Sequence, residues 1–350
     1  MDPVLAAVVF VFGLAFGSFL NVCIHRLPRR IGLQEELQKA RIAAAADEIT
    51  RLQGEVDAYS IVSPKSACPH CHEPIRPYDN IPVVSWLMLR GRCRHCHAPI
   101  SPRYIFVELI TAFAFVASYW YATGSARGTQ VELVTAKFCL FSFLIIGLTF
   151  IDAEWKLLPD ALTLPGLAVG LVFSFFVPVF DVIFLYINSL PPGGFHWPLP
   201  WPTSVPGMLR IVSFCDSLLG ALVGAVFFYL VSLAYKYARG REGMGLGDVK
   251  LMAMIGAFLG LRLTLLTIFG ASLAGSIFGI ATLLVVWARR TKRRMAKCRE
   301  TSAVARKRAW RSARLIYANF GIPFGVFLGP VALLSVYLGR ALIRWYGGLF

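Results

Sequence analysis

The chain has 350 residues, a mean hydropathy of +0.64, 57% hydrophobic residues and only 15% charged residues. A soluble domain carries about a quarter charged residues, so the composition excludes an ordinary soluble enzyme. The apolar residues come in long blocks, which is typical of a polytopic membrane protein. A net charge of +16 would suit a nucleic-acid partner, but its distribution along the chain indicates a membrane partner instead.

The apolar blocks predict an all-α membrane protein with about eight transmembrane helices and a small cytoplasmic module inserted after the first helix. The first block resembles a signal peptide, but it has no preceding basic region and no small-residue cleavage site, which favours a retained helix. One block, 249–261, is short for a bilayer, so it is either a half-span or continuous with the next. The predicted spans are 4–22, 104–123, 133–151, 161–180, 214–236, 249–261, 264–287 and 322–343.

The basic residues are concentrated in alternate loops, which sets the topology. Of the 35 Lys and Arg, 12 lie within 26–103 and 12 within 289–314. The positive-inside rule then places these loops in the cytoplasm and the N-terminus in the periplasm. The run 289–314 is predicted to be a basic cytoplasmic loop that meets anionic lipid. The cytoplasmic segments are 23–103, 152–160, 237–248 and 289–314.

The cytoplasmic insert 23–103 divides into two parts. Residues 33–58 have apolar side chains at helical spacing and predict an amphipathic helix or a coiled-coil arm. Residues 66–103 are rich in Cys, His, Pro and Arg, and a module this small needs a metal or another cross-link to fold.

Four cysteines in that module, Cys68, Cys71, Cys93 and Cys96, form two Cys-x-x-Cys pairs with the spacing of a tetrahedral zinc site. Disulfides are the first alternative, but the cytoplasm keeps thiols reduced. Covalent haem is the second, because a histidine follows each pair, yet haem is attached outside the cytoplasm. Four thiolates leave no open coordination position, so the predicted Zn²⁺ is structural.

Two aspartates at membrane boundaries are the candidate catalytic residues. Asp152 ends the third predicted span, and Asp248 begins a later one after a glycine-rich run. The topology places both at the cytoplasmic end of a helix, where paired carboxylates sharing a proton activate a water molecule. A helix cap for Asp248 and a boundary residue for Asp152 are alternatives of similar weight. Gly245, Gly247 and Lys250 are predicted to support the loop of Asp248.

The run Gly-Met-Gly-Leu-Gly-Asp-Val-Lys at 243–250 resembles the GxGD signature of the type IV prepilin peptidases. The similarity extends in order along most of the chain: 17–28 is similar to the family's N-terminal motif, 68–96 to its zinc module, and 100–109, 158–165 and 322–325 to later motifs. The sequence departs from the family at Ile105 and Val326, where proline is usual.

The resemblance implies an aspartic endopeptidase of the bacterial inner membrane, with 104–350 as its peptidase domain. It would cleave the basic leader of type IV prepilins or type II secretion pseudopilins through Asp152 and Asp248. It also implies S-adenosylmethionine-dependent N-methylation of the new N-terminus, associated with the insert. The matching motif positions for methyl transfer are Asn21, Arg26, Gly91 and Glu108. The implied partners are these protein substrates and membrane lipid, not nucleic acid, and the oligomeric state is not predicted.

Two other functions fit the residues taken alone. Paired intramembrane aspartates also occur in proton-coupled transporters, and a broken short span would suit one. A membrane scaffold whose zinc module docks a partner is the third possibility. The combination of the zinc insert with the Gly-x-Gly-Asp placement favours the peptidase.

Overall fold

The computed structural model describes residues 2–44, 46–61, 66–126, 128, 130–177, 206–240, 245–298, 301–319 and 323–347. Within these residues the regular structure is helical, apart from two isolated β-bridges in the cysteine module. Most of 181–213, which joins the predicted spans 161–180 and 214–236, lies outside the described residues, as do Gly243, Met244 and Ile322 of the predicted motifs.

The structure has ten α-helices among the described residues. They are α1 (Pro3–Ile42), α2 (Ala46–Ala58), α3 (Val84–Met88), α4 (Arg103–Ser125), α5 (Gln130–Trp155), α6 (Asp160–Phe176), α7 (Pro206–Arg239), α8 (Leu246–Cys298), α9 (Ser302–Asn319) and α10 (Gly325–Gly347). Of these helices, α2 and α9 are polar.

Five helices among the described residues are long and apolar enough to cross a membrane: α1, α4, α5, α7 and α8. The apolar helix α6 and the apolar part of α10 are shorter. The chain is therefore a membrane protein whose described residues are mainly helical, while the count of about eight spans stays a prediction.

The helix α8 is broken at one residue. Gly260 has φ 74° and ψ 176°, which is outside the helical region and suits only glycine. The short predicted span 249–261 is therefore the first part of α8, 246–259, which is separated by this break from the longer second part.

The helix α1 runs well past residue 22, where the first predicted span ends. It continues through Pro28 to Ile42, and a turn with Ala44 at φ 55° precedes α2. The predicted arm 33–58 therefore consists of the end of α1 and the whole of α2, which form an antiparallel pair. Its own small core contains Leu37, Ala40, Leu52 and Val56.

The main core surrounds α5, α6, α8 and α10, and it includes Phe141, Leu148, Met254, Phe258 and Leu328. Small residues let helices approach closely in a membrane, where the hydrophobic effect does not drive helices together. Accordingly, a Cβ at Gly147 would lie 2.7 Å from Leu20 Cδ1 of α1. This packing brings the C-terminal half of α5 close against α1.

Candidate active site

Asp152 lies in the last turn of α5 and is only 5% exposed. Its carboxylate faces the first turn of α10, where the backbone N–H groups of Gly325 and Val326 point towards it. Its Oδ2 is buried without a hydrogen-bond partner among the described residues. A buried carboxylate oxygen without a partner is costly unless a water molecule or a substrate completes it.

Asp248 lies in the first turn of α8 and is partly buried. Its backbone N–H donates to the carbonyl oxygen of Gly245 at 3.2 Å, which makes a turn at the helix start. The two carboxylates are close enough for the charge of Asp152 to act on Asp248. The structure therefore brings together two residues that are 96 positions apart in the sequence.

Glycines permit two close approaches beside this pair. A Cβ on Gly325 would lie 2.6 Å from Asp152 Oδ2, which is too close for any other side chain. A Cβ on Gly247 would lie 3.0 Å from Leu158 Cβ, so Gly247 lets α8 start against the segment before α6. Gly245 is exposed, and a Cβ there would meet nothing closer than 3.8 Å.

Lys250 contacts a different acid from the pair. Its Nζ donates to both carboxylate oxygens of Asp160 at 2.7 Å, tying the start of α6 to the start of α8. Glu154 likewise pairs with Arg103. Two of the acidic residues beside the site are thus already neutralised by neighbouring basic residues.

The four predicted metal-ligating cysteines come together in the module between α2 and α4. Their Sγ atoms all lie within 4.8 Å of one another. Each pair sits in a turn of the same form: the N–H of His72 donates to Cys68 O at 2.9 Å, and that of His97 to Cys93 O at 3.1 Å. Both histidines have positive φ and are exposed, so they shape the turn rather than face the sulfurs.

The spacing of the sulfurs fits a tetrahedral metal. Zn–S bonds of about 2.3 Å place tetrahedral sulfurs about 3.8 Å apart, and Cys68 Sγ lies 3.8 Å from Cys96 Sγ. The backbone N–H groups of Cys96 and His95 lower the pKa of Cys93 to about 6. This favours the thiolate, which is the form that binds a metal.

The four residues predicted for methyl transfer lie at two places. Asn21 and Glu108 are buried where α1 packs on α4: Asn21 Nδ2 donates to Tyr104 O at 3.0 Å, while Asn21 Oδ1 is unsatisfied among the described residues. Glu108 Oε2 accepts from the N–H of Val83 at 2.8 Å, which links α4 to the cysteine module.

The other two lie at the borders of the insert. Arg26 Nη1 donates to Ser60 O at 2.7 Å, which ties α1 to the end of the helical arm. Gly91 has φ 67° and lies under the Trp86 ring, where a Cβ would be 2.7 Å from the nearest ring atom. Of the four residues, Asn21 and Glu108 are neighbours on one interface, whereas Gly91 belongs to the cysteine module.

Sequence reasoning gave no role to two groups of residues. Gly325 ends the motif 322–325, but nothing in the sequence shows that it contacts Asp152. Ser174 and Asp216 are polar residues inside apolar helices. An ionisable residue such as Asp216 within an apolar helix is itself a sequence signal of a functional position. Lys137 is likewise an isolated charged residue inside an apolar helix.

Two family models match parts of the chain. The family model described as "Bacterial Peptidase A24 N-terminal domain" matches residues 11–122, which contain the cysteine module and the α1–α4 interface. The model described as "Type IV leader peptidase family" matches residues 203–280, which include Asp248.

Several similar proteins carry the same name, "Prepilin leader peptidase/N-methyltransferase". One from Aeromonas hydrophila is 34% identical over 97% of this chain and 93% of its own length. Others from Pseudomonas aeruginosa and Neisseria gonorrhoeae are 35% and 33% identical over 78% and 80% of this chain and 79% and 83% of their own lengths. No solved structure matches the chain significantly.

Proposed function

The chain belongs to the prepilin leader peptidase/N-methyltransferase family, and from this premise we propose that Asp152 and Asp248 are its catalytic dyad. The enzyme cleaves the leader of prepilins or pseudopilins and then methylates the new N-terminus. The observation that carries the dyad is the meeting of two carboxylates from α5 and α8 at the same end of the helix bundle.

The surroundings of the two carboxylates suggest different roles for them. Asp152 faces the N–H groups at the start of α10, and a helix N-terminus stabilises negative charge. Asp248 lies in the first turn of its own helix, but among the described residues no backbone N–H of another helix acts on its carboxylate, and the charge beside it is Asp152. We therefore assign the ionised form to Asp152 and the protonated form to Asp248, with the proton shared between them.

The cleavage step follows from this assignment. Asp152 takes a proton from a water molecule through its unpartnered Oδ2, and the resulting hydroxide attacks the scissile carbonyl carbon. Asp248 donates its proton to the carbonyl oxygen. The tetrahedral intermediate then collapses: the C–N bond breaks, the nitrogen receives the proton held by Asp152, and the carbonyl oxygen returns its proton to Asp248. Both carboxyl groups end in their starting states.

The substrate reaches this site from the cytoplasmic face. We place the enzyme in the bacterial inner membrane with a periplasmic N-terminus, because the basic segments alternate as the positive-inside rule requires. Because Glu154 and Asp160 are already paired with Arg103 and Lys250, they attract a basic leader only weakly.

We assign a structural Zn²⁺ to Cys68, Cys71, Cys93 and Cys96, supported by their sulfur spacing. The metal would cross-link the two turns and so hold Val83 over Glu108. The donor S-adenosylmethionine supplies an electrophilic methyl group on a positively charged sulfonium. The Glu108 carboxylate and the unsatisfied Asn21 Oδ1 are acceptors of the kind that hold cationic groups at the α1–α4 interface.

A proton-coupled transporter, the alternative function, is not supported, because the relatives that cover the chain are named peptidases. The dyad is tested with purified protein in detergent and a prepilin substrate. Asp152→Asn and Asp248→Asn should each lower kcat by about 10²- to 10⁴-fold, which is the range for general acid–base groups.

Asp160→Asn is the matched control, since it removes a neighbouring carboxylate that is paired with Lys250. Methylation of a pilin that already lacks its leader should persist in all three variants, showing that they are folded. Cleavage at the wild-type rate in either dyad variant would refute the assignment.

A further inference from the structure

A second group of buried polar side chains lies at the far end of the helices that carry the dyad. Lys137 of α5 is 2% exposed, and its Nζ donates to Ser174 Oγ at 3.1 Å. The Ser174 hydroxyl of α6 in turn donates to Ala257 O at 3.0 Å. The first part of α8 is thereby hydrogen-bonded to α5 through a single side chain of α6.

The same place is where α8 breaks. The N–H of Leu261, just after the break, donates to Asp216 Oδ1 of α7 at 3.4 Å. A Cβ on Gly260 would collide with the Asp216 carboxylate, so the break and the acid fit together. The charge of Asp216 acts on Lys137 and is also influenced by Arg262. The group thus contains opposite charges and fixes both sides of the break.

The group and the dyad lie at different ends of two helical segments, α5 and the first part of α8. Lys137 is 15 residues before Asp152, or about 22 Å along α5 at 1.5 Å per residue. Ala257 is nine residues after Asp248, or about 14 Å along α8. Between the two ends the helices meet through the Phe141 and Phe258 rings, whose centroids are 5.1 Å apart.

Buried polar groups at membrane depth are expensive, so they persist where they do something that apolar packing does not. Apolar contacts such as the Phe141–Phe258 pair allow a helix to slide or tilt, because dispersion is not directional. A hydrogen bond to the carbonyl of Ala257 fixes one register and one direction. Lys137 is fully buried and distant from the dyad, so it does not touch the scissile bond.

We propose that Lys137 and Ser174 are positioning residues, which set the tilt and register of helix 246–259 against α5 so that Asp248 meets Asp152. This inference rests on the proposed function of the dyad. A helix held at its far end by one directed link transmits a small displacement there to the carboxylate at its other end. A misplacement of about 1 Å at a catalytic group lowers the rate by up to about 100-fold.

The test compares Lys137→Met, Lys137→Gln and Ser174→Ala in detergent with a prepilin substrate. Lys137→Met and Ser174→Ala should lower kcat for cleavage about 10- to 100-fold with little change in KM, because the substrate does not touch these residues. Lys137→Gln keeps a hydrogen-bond donor, one bond shorter than lysine, and should recover part of the loss.

Thr267→Val is the matched control, since it removes a buried hydroxyl that bonds Ser335 Oγ at 3.1 Å from the second part of α8. It should leave kcat near the wild-type value. Methyl transfer to a leaderless pilin should also persist in every variant. If Lys137→Met fails to fold, the double variant Lys137→Met, Asp216→Asn, which removes both charges, takes its place.

An unchanged kcat in Ser174→Ala and in the Lys137 variant that folds would overturn the inference, as would a raised KM with unchanged kcat. Equal losses in Lys137→Met and Lys137→Gln would also contradict a hydrogen-bonded link. These results are distinct from failure of the proposed function, which is retained cleavage in Asp152→Asn or Asp248→Asn.

Discussion

Gly325→Ala is predicted to slow cleavage although it adds a single methyl group outside the dyad. The new Cβ would lie 2.6 Å from Asp152 Oδ2 and 3.1 Å from its Cγ, whereas ordinary contacts begin at 3.4 Å. The carboxylate must therefore move by about 1 Å, or α10 must shift, and either change separates Asp152 from its N–H neighbours. A displacement of this size costs up to about 100-fold in rate, or about 2.7 kcal/mol in the barrier.

The assay measures kcat for cleavage of a prepilin in detergent, with methyl transfer to a leaderless pilin as a check on folding. Gly124→Ala is the matched control, because a Cβ at Gly124 on α4 would meet nothing within 4 Å. The control should cleave at the wild-type rate. The reasoning is refuted if Gly325→Ala, folded and active in methyl transfer, cleaves within about twofold of wild type.

Three further outcomes are expected. Lys250→Met should keep cleavage within about fivefold of wild type, because Lys250 pairs with Asp160 in a half-exposed contact and such pairs contribute little; a loss as large as that of a dyad variant would contradict this. Cys96→Ser should remove the bound zinc, measured by elemental analysis, and abolish methyl transfer. The control Cys215→Ser should leave about one zinc per chain. An unchanged zinc content in Cys96→Ser would exclude the four-cysteine site. Leu52→Ala should expose the arm 33–58 to limited proteolysis, since its core is separate and the lost packing costs about 2–5 kcal/mol; cleavage of prepilin should persist, and an arm that resists protease would contradict a separate core.

The candidate site residues of this chain could be proposed from local sequence because they are conspicuous. The two Cys-x-x-Cys pairs have metal spacing, and the structure brings their sulfurs together. Asp152 and Asp248 stand at the edges of apolar blocks, and charge topology places them at one depth. In each case the signal is a polar residue type that is rare in its surroundings.

The relations between helices could not be predicted in the same way. A hydropathy value is the mean over a window of residues, so the single polar residue Ser174 does not change the value for α6. Its hydroxyl nevertheless links α5 and α8. The length of α1 was hidden because Pro28 and the polar arm both suggest an end, yet the helix continues to Ile42. Lys250 is two residues after Asp248, but its side chain lies on a different side of α8 and binds Asp160.

The central claim is that Asp152 and Asp248 meet in one site, and a cysteine cross-link tests it most directly. The double variant Asp152→Cys, Asp248→Cys should be joined by a short bifunctional thiol reagent, identified by mass spectrometry of the linked peptides, because carboxylates that share a proton keep their Cβ atoms farther apart than the roughly 3.5–4.5 Å that a direct disulfide spans. Leu158→Cys, Gly247→Cys is the positive control, since a Cβ at Gly247 lies 3.0 Å from Leu158 Cβ, within reach of the same reagent. The account predicts both cross-links. A cross-link in the control alone would show that the two aspartates do not share a site.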